Sequence, residues 1–200
     1  MTKQNISKMI VVGSSCQGYK TAADYLTKTE LGSAVMAFFP HINPHVIRDS
    51  LKQLGKPYEF IRKGVVISPG IFYICASKKC EVTMIGDYAS SSGLHRRFSV
   101  KDCGGKKQIK MHSRYMKDTI GEAFMEMYNL FEKNTVCVIL RGAGWDGVDA
   151  AKYIKEHGGR VIIEDLPNGG MTNRAREIIH DAEIVSPEDI PKRLEEIISS

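Results

Sequence analysis

The sequence predicts an α/β fold, a mostly parallel sheet flanked by helices with a small antiparallel hairpin element. Three observations predict it: apolar strand-like runs alternate with helical periodicity, those runs are apolar at every position, and glycine-rich turns follow two of them. A strand covered by helices on both faces needs no polar side, whereas a half-wet strand alternates.

Residues 9–13, Met-Ile-Val-Val-Gly, form the first buried strand, and a helical pattern begins over 21–26 after the turn Gly13-Ser14-Ser15-Cys16-Gln17-Gly18. A second apolar strand, 35–39, stops at Pro40. Pro44 suits the first turn of a helix reaching about residue 54, where its missing N–H needs no partner, and Val46, Ile47 and Leu51 recur at helical spacing. In the middle, 58–61, 64–67, 71–76 and 81–85 are short strand-like pieces separated by Pro69-Gly70 and Ser77-Lys78-Lys79. They predict the antiparallel hairpin, inserted into or appended to the sheet. Periodicity then disappears from 87 to 110 amid Ser90-Ser91-Ser92-Gly93 and Gly104-Gly105, which predicts a long loop, functional or mobile.

Regular alternation resumes with Ile120, Phe124, Met127 or Tyr128, and Phe131 as one apolar helical stripe. Residues 136–140 read as a strand, and the turn Gly142-Ala143-Gly144-Trp145-Asp146-Gly147 leads into a helix ending near His157-Gly158-Gly159. A strand at 161–163 and closing helices at 174–180 and 187–198 complete the pattern. No repeat or linker interrupts it, so residues 1–200 read as a single domain.

Composition narrows the class. Hydrophobic residues make up 42% and charged residues 26%, near globular averages, and no apolar run reaches the roughly 18 residues that span a bilayer. No stable membrane insertion is expected. The polar start Met1-Thr2-Lys3-Gln4-Asn5 lacks a secretory pattern, and the five cysteines (16, 75, 80, 103, 137) have neither disulfide nor zinc spacing. These features predict a cytoplasmic protein with reduced thiols. The net charge of +5 is concentrated in Arg96-Arg97, Lys101, Lys106-Lys107, Lys110, Arg114 and Lys117, a set that suits an acidic partner or simply a solvated loop. Without interleaved aromatics or a recognisable motif, nucleic acid is not the expected partner.

Chemistry collects in the turns. Loops beyond the carboxyl ends of parallel strands converge at the switch point of the sheet. The first such turn carries Ser14 and Ser15, the second carries His41, and the third carries Asp146. A serine hydroxyl needs a base to take its proton, and an imidazole keeps the correct tautomer when a carboxylate accepts its other N–H. The first turn also suits a phosphate cradle, but Tyr19-Lys20 after Gly18 breaks the Walker pattern. Taken singly, His41 reads as a packed or solvated histidine and Asp146 as a helix N-cap beneath Gly147. Gly13 and Gly18 would let the backbone approach a substrate. Cys16, at the positive end of a helix, is a possible second nucleophile or a small packing residue. Trp145 either walls the cleft or packs, and His95, Arg96 and Arg97 either touch substrate or belong to a surface loop. His45 follows His41 by four residues, but Pro44 between them argues against a metal pair.

These residues resemble the catalytic domain of the chemotaxis protein-glutamate methylesterases, the CheB type. That family's pattern is a Gly-x-Ser-x-Gly-Gly turn, a His after the second strand and a late Gly-x-Gly-x-Asp-Gly turn. Here the corresponding stretches are Gly13 to Gly18, Pro40-His41 and Gly142 to Gly147. Ser68-Pro69-Gly70-Ile71-Phe72-Tyr73-Ile74-Cys75-Ala76 is similar to its Pro-Gly-x-x-Tyr-x-Ala segment. Arg114 and Asp118 keep the spacing of its Arg-Pro-Ser-Val-Asp motif, and Met171 through Ile178 resembles its closing Met-Pro-Arg-Glu-Ala stretch.

The resemblance implies a doubly wound parallel sheet and hydrolysis of glutamyl γ-methyl esters on chemoreceptor cytoplasmic helices or a related methylated protein. Ser15 would be the nucleophile, His41 the general base and Asp146 its orienting partner, with no metal or organic cofactor. Backbone N–H groups near Cys16 and Ala143 would stabilise the oxyanion, with Gln17 beside them. Four positions depart from the pattern: Gln17 stands for the first Gly of the usual pair, Asn43 for a Pro after the His, Tyr115 for the Pro of the Arg motif, and Ala143 for a bulkier Met. The alternative class is a catalytically inactive binding module on the same fold, and a third is an anion or nucleotide binder at the first glycine turn.

Overall fold

Six consecutive buried residues in each of Met9–Ser14 (β1) and Val35–Pro40 (β2) place these strands inside the molecule with no wet side. The computed structural model describes residues 6–15, 18, 23, 26–41, 58–60, 65–75, 81–85, 88–92, 96–102, 107–113, 119–167 and 169–200. In chain order its further elements are β3 (Tyr58–Phe60), β4 (Val65–Val66), β5 (Phe72–Ile74), β6 (Glu81–Ile85), β7 (Tyr88–Ser92), β8 (Arg96–Asp102) and β9 (Lys107–Ser113). Then come α1 (Thr119–Phe131), a 3-10 turn at Glu132–Asn134, β10 (Thr135–Ile139), α2 (Val148–Glu156), β11 (Arg160–Glu164), α3 (Gly170–Ile178), β12 (Glu183–Val185) and α4 (Ile190–Ser199).

The main sheet has seven strands in the order β12-β11-β10-β1-β2-β5-β3, every neighbouring pair parallel. Strand side chains alternate between faces, so a fully buried strand must supply two separate cores. It does. Met9 and Val11 of β1, Val35 and Ala37 of β2, and Cys137 and Ile139 of β10 pack with Ile120, Phe124, Ala151, Ile154, Met171 and Ala175 of α1, α2 and α3. Ile10 and Val12, Met36 and Phe38, and Val136 and Val138 point the other way, onto Ala23, Leu26 and Ile190, Leu194 and Ile197 of α4. Helices therefore cover both faces, as the continuously apolar strands require.

Several expectations are corrected. Residues 58–60 and 72–74, expected in the antiparallel hairpin, join the main sheet in parallel register, Tyr58 opposite Phe72 and Met36 opposite Phe72. The other two expected pieces do pair antiparallel, but with later strands: β6 pairs with β7, and the two-residue β4 with β9, which also pairs with β8. The span 87–110 is thus largely strand rather than loop. Its signal is a short alternation, Phe98 and Val100 against Ile109 and Met111, and these positions are direct cross-strand partners, 98 with 111 and 100 with 109. The edge strand β12 carries only three residues, Glu-Ile-Val, too few to show a period. The third helix begins at Gly170 rather than near Arg174, and the last at Ile190 rather than Pro187. Of the expected helix at 21–26, Ala23 and Leu26 are helical and buried; its other positions through Tyr25 and the helix expected at 44–54 lie outside the described residues.

Candidate active site

The chain leaves β1 for β2 on one side and fills the other side of β1 with β10 only much later, so the carboxyl ends of β1 and β10 flank a switch point. Ser14 lies opposite Pro40 in the parallel register, which brings the next residues, Ser15 and His41, to the same end of adjacent strands. The His41 amide donates to the Ser14 carbonyl at 2.9 Å, extending the ladder one residue beyond the strands. Both Ser15 and His41 are 5% exposed.

Asp146, expected as the partner of His41, also makes contacts that the sequence does not announce. Taken singly it reads as the N-cap of the helix after Gly147, yet the N-cap of α2 is Gly147 itself, with no side-chain cap. The carboxylate turns instead to the start of α1. There Oδ1 accepts the amides of Ile120 and Gly121, each at 3.1 Å, and Oδ2 also lies 3.1 Å from the Ile120 amide. Oδ2 meets His41 Nε2 at 2.6 Å. One carboxylate therefore sits at the positive end of a helix and holds an imidazole. Gly147 makes the turn possible: its φ is +87°, and a Cβ there would come within 2.5 Å of the Ile120 side chain.

The third turn also crowds the first. A Cβ on Gly142 would overlap the Ser15 Cβ, so only glycine lets this backbone lie beside the serine. Ala143 follows, partly buried. Gly13 and Gly18, expected to face substrate, are used for packing: a Cβ on the first would meet Ile120 and Phe124 of α1, and on the second the Arg141 side chain and carbonyl. Ser14 is committed locally, its hydroxyl donating to the carbonyls of Ser15 at 3.0 Å and Arg141 at 3.4 Å.

Trp145 stands largely in solvent. It is 61% exposed, and with Val148 and Asp149 of α2 and Asn173, Arg174 and Glu177 of α3 it lines a groove of about 360 Å³ beside the turn. Arg96 and Arg97 open strand β8 rather than lying in a loop. Cys16, Gln17, Asn43, His45, His95, Arg114, Tyr115 and Asp118 lie outside the described residues.

Sequence reasoning missed one pair at the site. Glu164, the last residue of β11, is 0% exposed, and Arg141, just after β10, binds it: Nη2 to Oε1 at 2.6 Å, Nε to Oε1 at 3.0 Å, and the Arg141 amide to Oε2 at 2.6 Å. The available signal is a charged residue at the carboxyl end of each of two adjacent apolar strands, of opposite sign. Burial pushes the Cys75 and Cys137 thiols well above their ordinary range, which keeps them protonated.

Comparison with known proteins agrees with this architecture. The CheB methylesterase family model matches residues 10–194. The crystal structure of the Thermotoga maritima CheB methylesterase catalytic domain superposes with a TM-score of 0.71 at 21% identity, covering 96% of this chain and 98% of that one. A Methanospirillum hungatei protein named protein-glutamate methylesterase/protein-glutamine glutaminase 2 is 22% identical over 163 residues, 79% of this chain. The match takes in 42% of that relative's length, so the chain corresponds to under half of it. With the family model spanning nearly all of its sheet and helices, the chain belongs to the CheB methylesterase family.

Proposed function

We propose that the protein is a serine esterase that hydrolyses glutamyl γ-methyl esters on the cytoplasmic helices of a methylated chemoreceptor or a related methylated protein. The observation that carries this reading is the 2.6 Å contact of His41 with Asp146 at the strand end next to Ser15. Family membership and the names of the relatives support the reaction class.

In the first step the Ser15 hydroxyl adds to the ester carbonyl carbon while His41 takes its proton. Asp146 engages Nε2, so the base role falls to Nδ1, and the carboxylate balances the imidazolium as it forms. The carbonyl oxygen becomes an oxyanion, which the backbone amides of Cys16 and Ala143 would bind, with Gln17 beside them. Such a donor contributes about 3–4 kcal/mol to the transition state. Collapse breaks the bond to methoxide, which takes the His41 proton and leaves as methanol. Water then adds to the Ser15 ester as His41 takes its proton, and collapse breaks the bond to Ser15 Oγ, which recovers that proton from His41 as the glutamate side chain departs.

Methanol release from a methylated receptor tests this directly. Wild type should release methanol, and Ser15→Ala and His41→Ala should each lose about 10⁴-fold or more in kcat. No release by wild type, or wild-type rates in both variants, would refute the mechanism.

A further inference from the structure

We propose that Glu164 and Arg141 are a positioning pair that holds the Gly142-Ala143 backbone at its working distance from Ser15. This deepens the esterase reading and rests on it. The Arg141-Gly142 backbone is pinned from both sides. Glu164 takes the Arg141 amide on one carboxylate oxygen and the guanidinium on the other. On the far side, the Arg141 carbonyl accepts the Ser14 hydroxyl, and Gly18 approaches so closely that a Cβ would lie 2.5 Å from that oxygen. The next carbonyl, of Gly142, accepts the Met171 amide at 2.9 Å. Gly142 itself rests against Ser15.

A carboxylate that is 0% exposed has given up its hydration, and apolar residues of similar size often serve stability as well. An apolar pair cannot bind a backbone amide and lock the side chain of the same residue. What Glu164 adds is geometry: it fixes where the third turn begins, and hence where the Ala143 amide points. Displacing a donor by about 1 Å can cost about 100-fold in rate.

Two readouts on the full chain test the idea, one of which needs no substrate. In Glu164→Ala, amide hydrogen exchange over residues 141–147 should speed up about tenfold or more while β1 and β2 stay protected. Methanol release per folded molecule should fall about 10- to 100-fold in kcat with KM within about twofold. Glu164→Gln, which still accepts the Arg141 amide but lacks the charge, should recover part of both, and it carries the test if the alanine variant does not fold. Unchanged exchange at 141–147 overturns the proposal. So does an unchanged kcat in an enzyme that Ser15→Ala inactivates, because a purely structural pair would change only the folded fraction. If Ser15→Ala is as active as wild type, the esterase reading fails, and the exchange result still decides whether the pair holds the turn.

Discussion

Asp146 meets two demands with four short contacts, three to the start of α1 and one to His41. Changing it to Asn keeps the shape but replaces one acceptor oxygen with a donor group. Asp146→Asn should lower kcat about 10³- to 10⁴-fold in the methanol-release assay, because the imidazole loses the partner that fixes its tautomer. The same change should cost about 1–2 kcal/mol of stability in chemical denaturation, the usual worth of a helix cap. A variant that lost only stability would show Asp146 to be a cap and nothing more. The positions of Ser15, His41 and Asp146 are legible in sequence because each follows an apolar strand directly or within a glycine turn. The direction of the Asp146 side chain is not, because its helix partners lie 25 and 26 residues earlier in the chain. Arg141 and Glu164 escape notice for a related reason: a charge at a strand end reads as solvent until the neighbouring strand is known.

At the scale of elements, α1 carries the weight of the site. Its stripe of Ile120, Phe124 and Met127 is fully buried, and Phe124 lies against the bare backbone of Gly13 in β1. Phe124→Ala should destabilise the protein by about 3–5 kcal/mol, read as a lower denaturant midpoint. Because the same helix presents the amides that hold Asp146, activity of the folded fraction should fall as well, although residue 124 has no part in the chemistry. Helical stripes and all-apolar strands were easy to read, since three or more turns or five or six residues establish a period. Three-residue strands such as β3, β5 and β12 do not, and only pairing with a neighbour decides their direction. The antiparallel β8 and β9 stand between these cases, with alternation present but carried by two apolar positions in each strand.

For the molecule as a whole, stability toward alkali draws on buried groups that hold their protons, the Tyr73 phenol along with the Cys75 and Cys137 thiols. Tyr73 in β5 is 1% exposed, and its hydroxyl oxygen accepts the Ser68 amide at 2.9 Å. Burial raises its pKa above the ordinary 10.0, opposed in part by that hydrogen bond and reinforced by Glu59. The folded state thus keeps a proton that the unfolded chain releases, so this contribution is full below pH 10 and is lost as pH rises through the folded value. Denaturant midpoints measured from pH 8 upward should fall more steeply above pH 10 for wild type than for Tyr73→Phe. Parallel slopes would show that the phenol contributes nothing to alkaline unfolding.

The sheet order also has a consequence during synthesis. β1 is the middle strand, yet its neighbour β10 begins at Thr135, after β2 and all the strands on that side. A ribosome adds about 5–20 residues per second. His41 therefore waits about 5–20 seconds for Asp146 to be made, and for most of that time one edge of β1 has no strand to pair with. An exposed apolar edge is where a nascent chain captures other chains. The central strand that organises the finished molecule is thus its most vulnerable segment while the chain is still being translated.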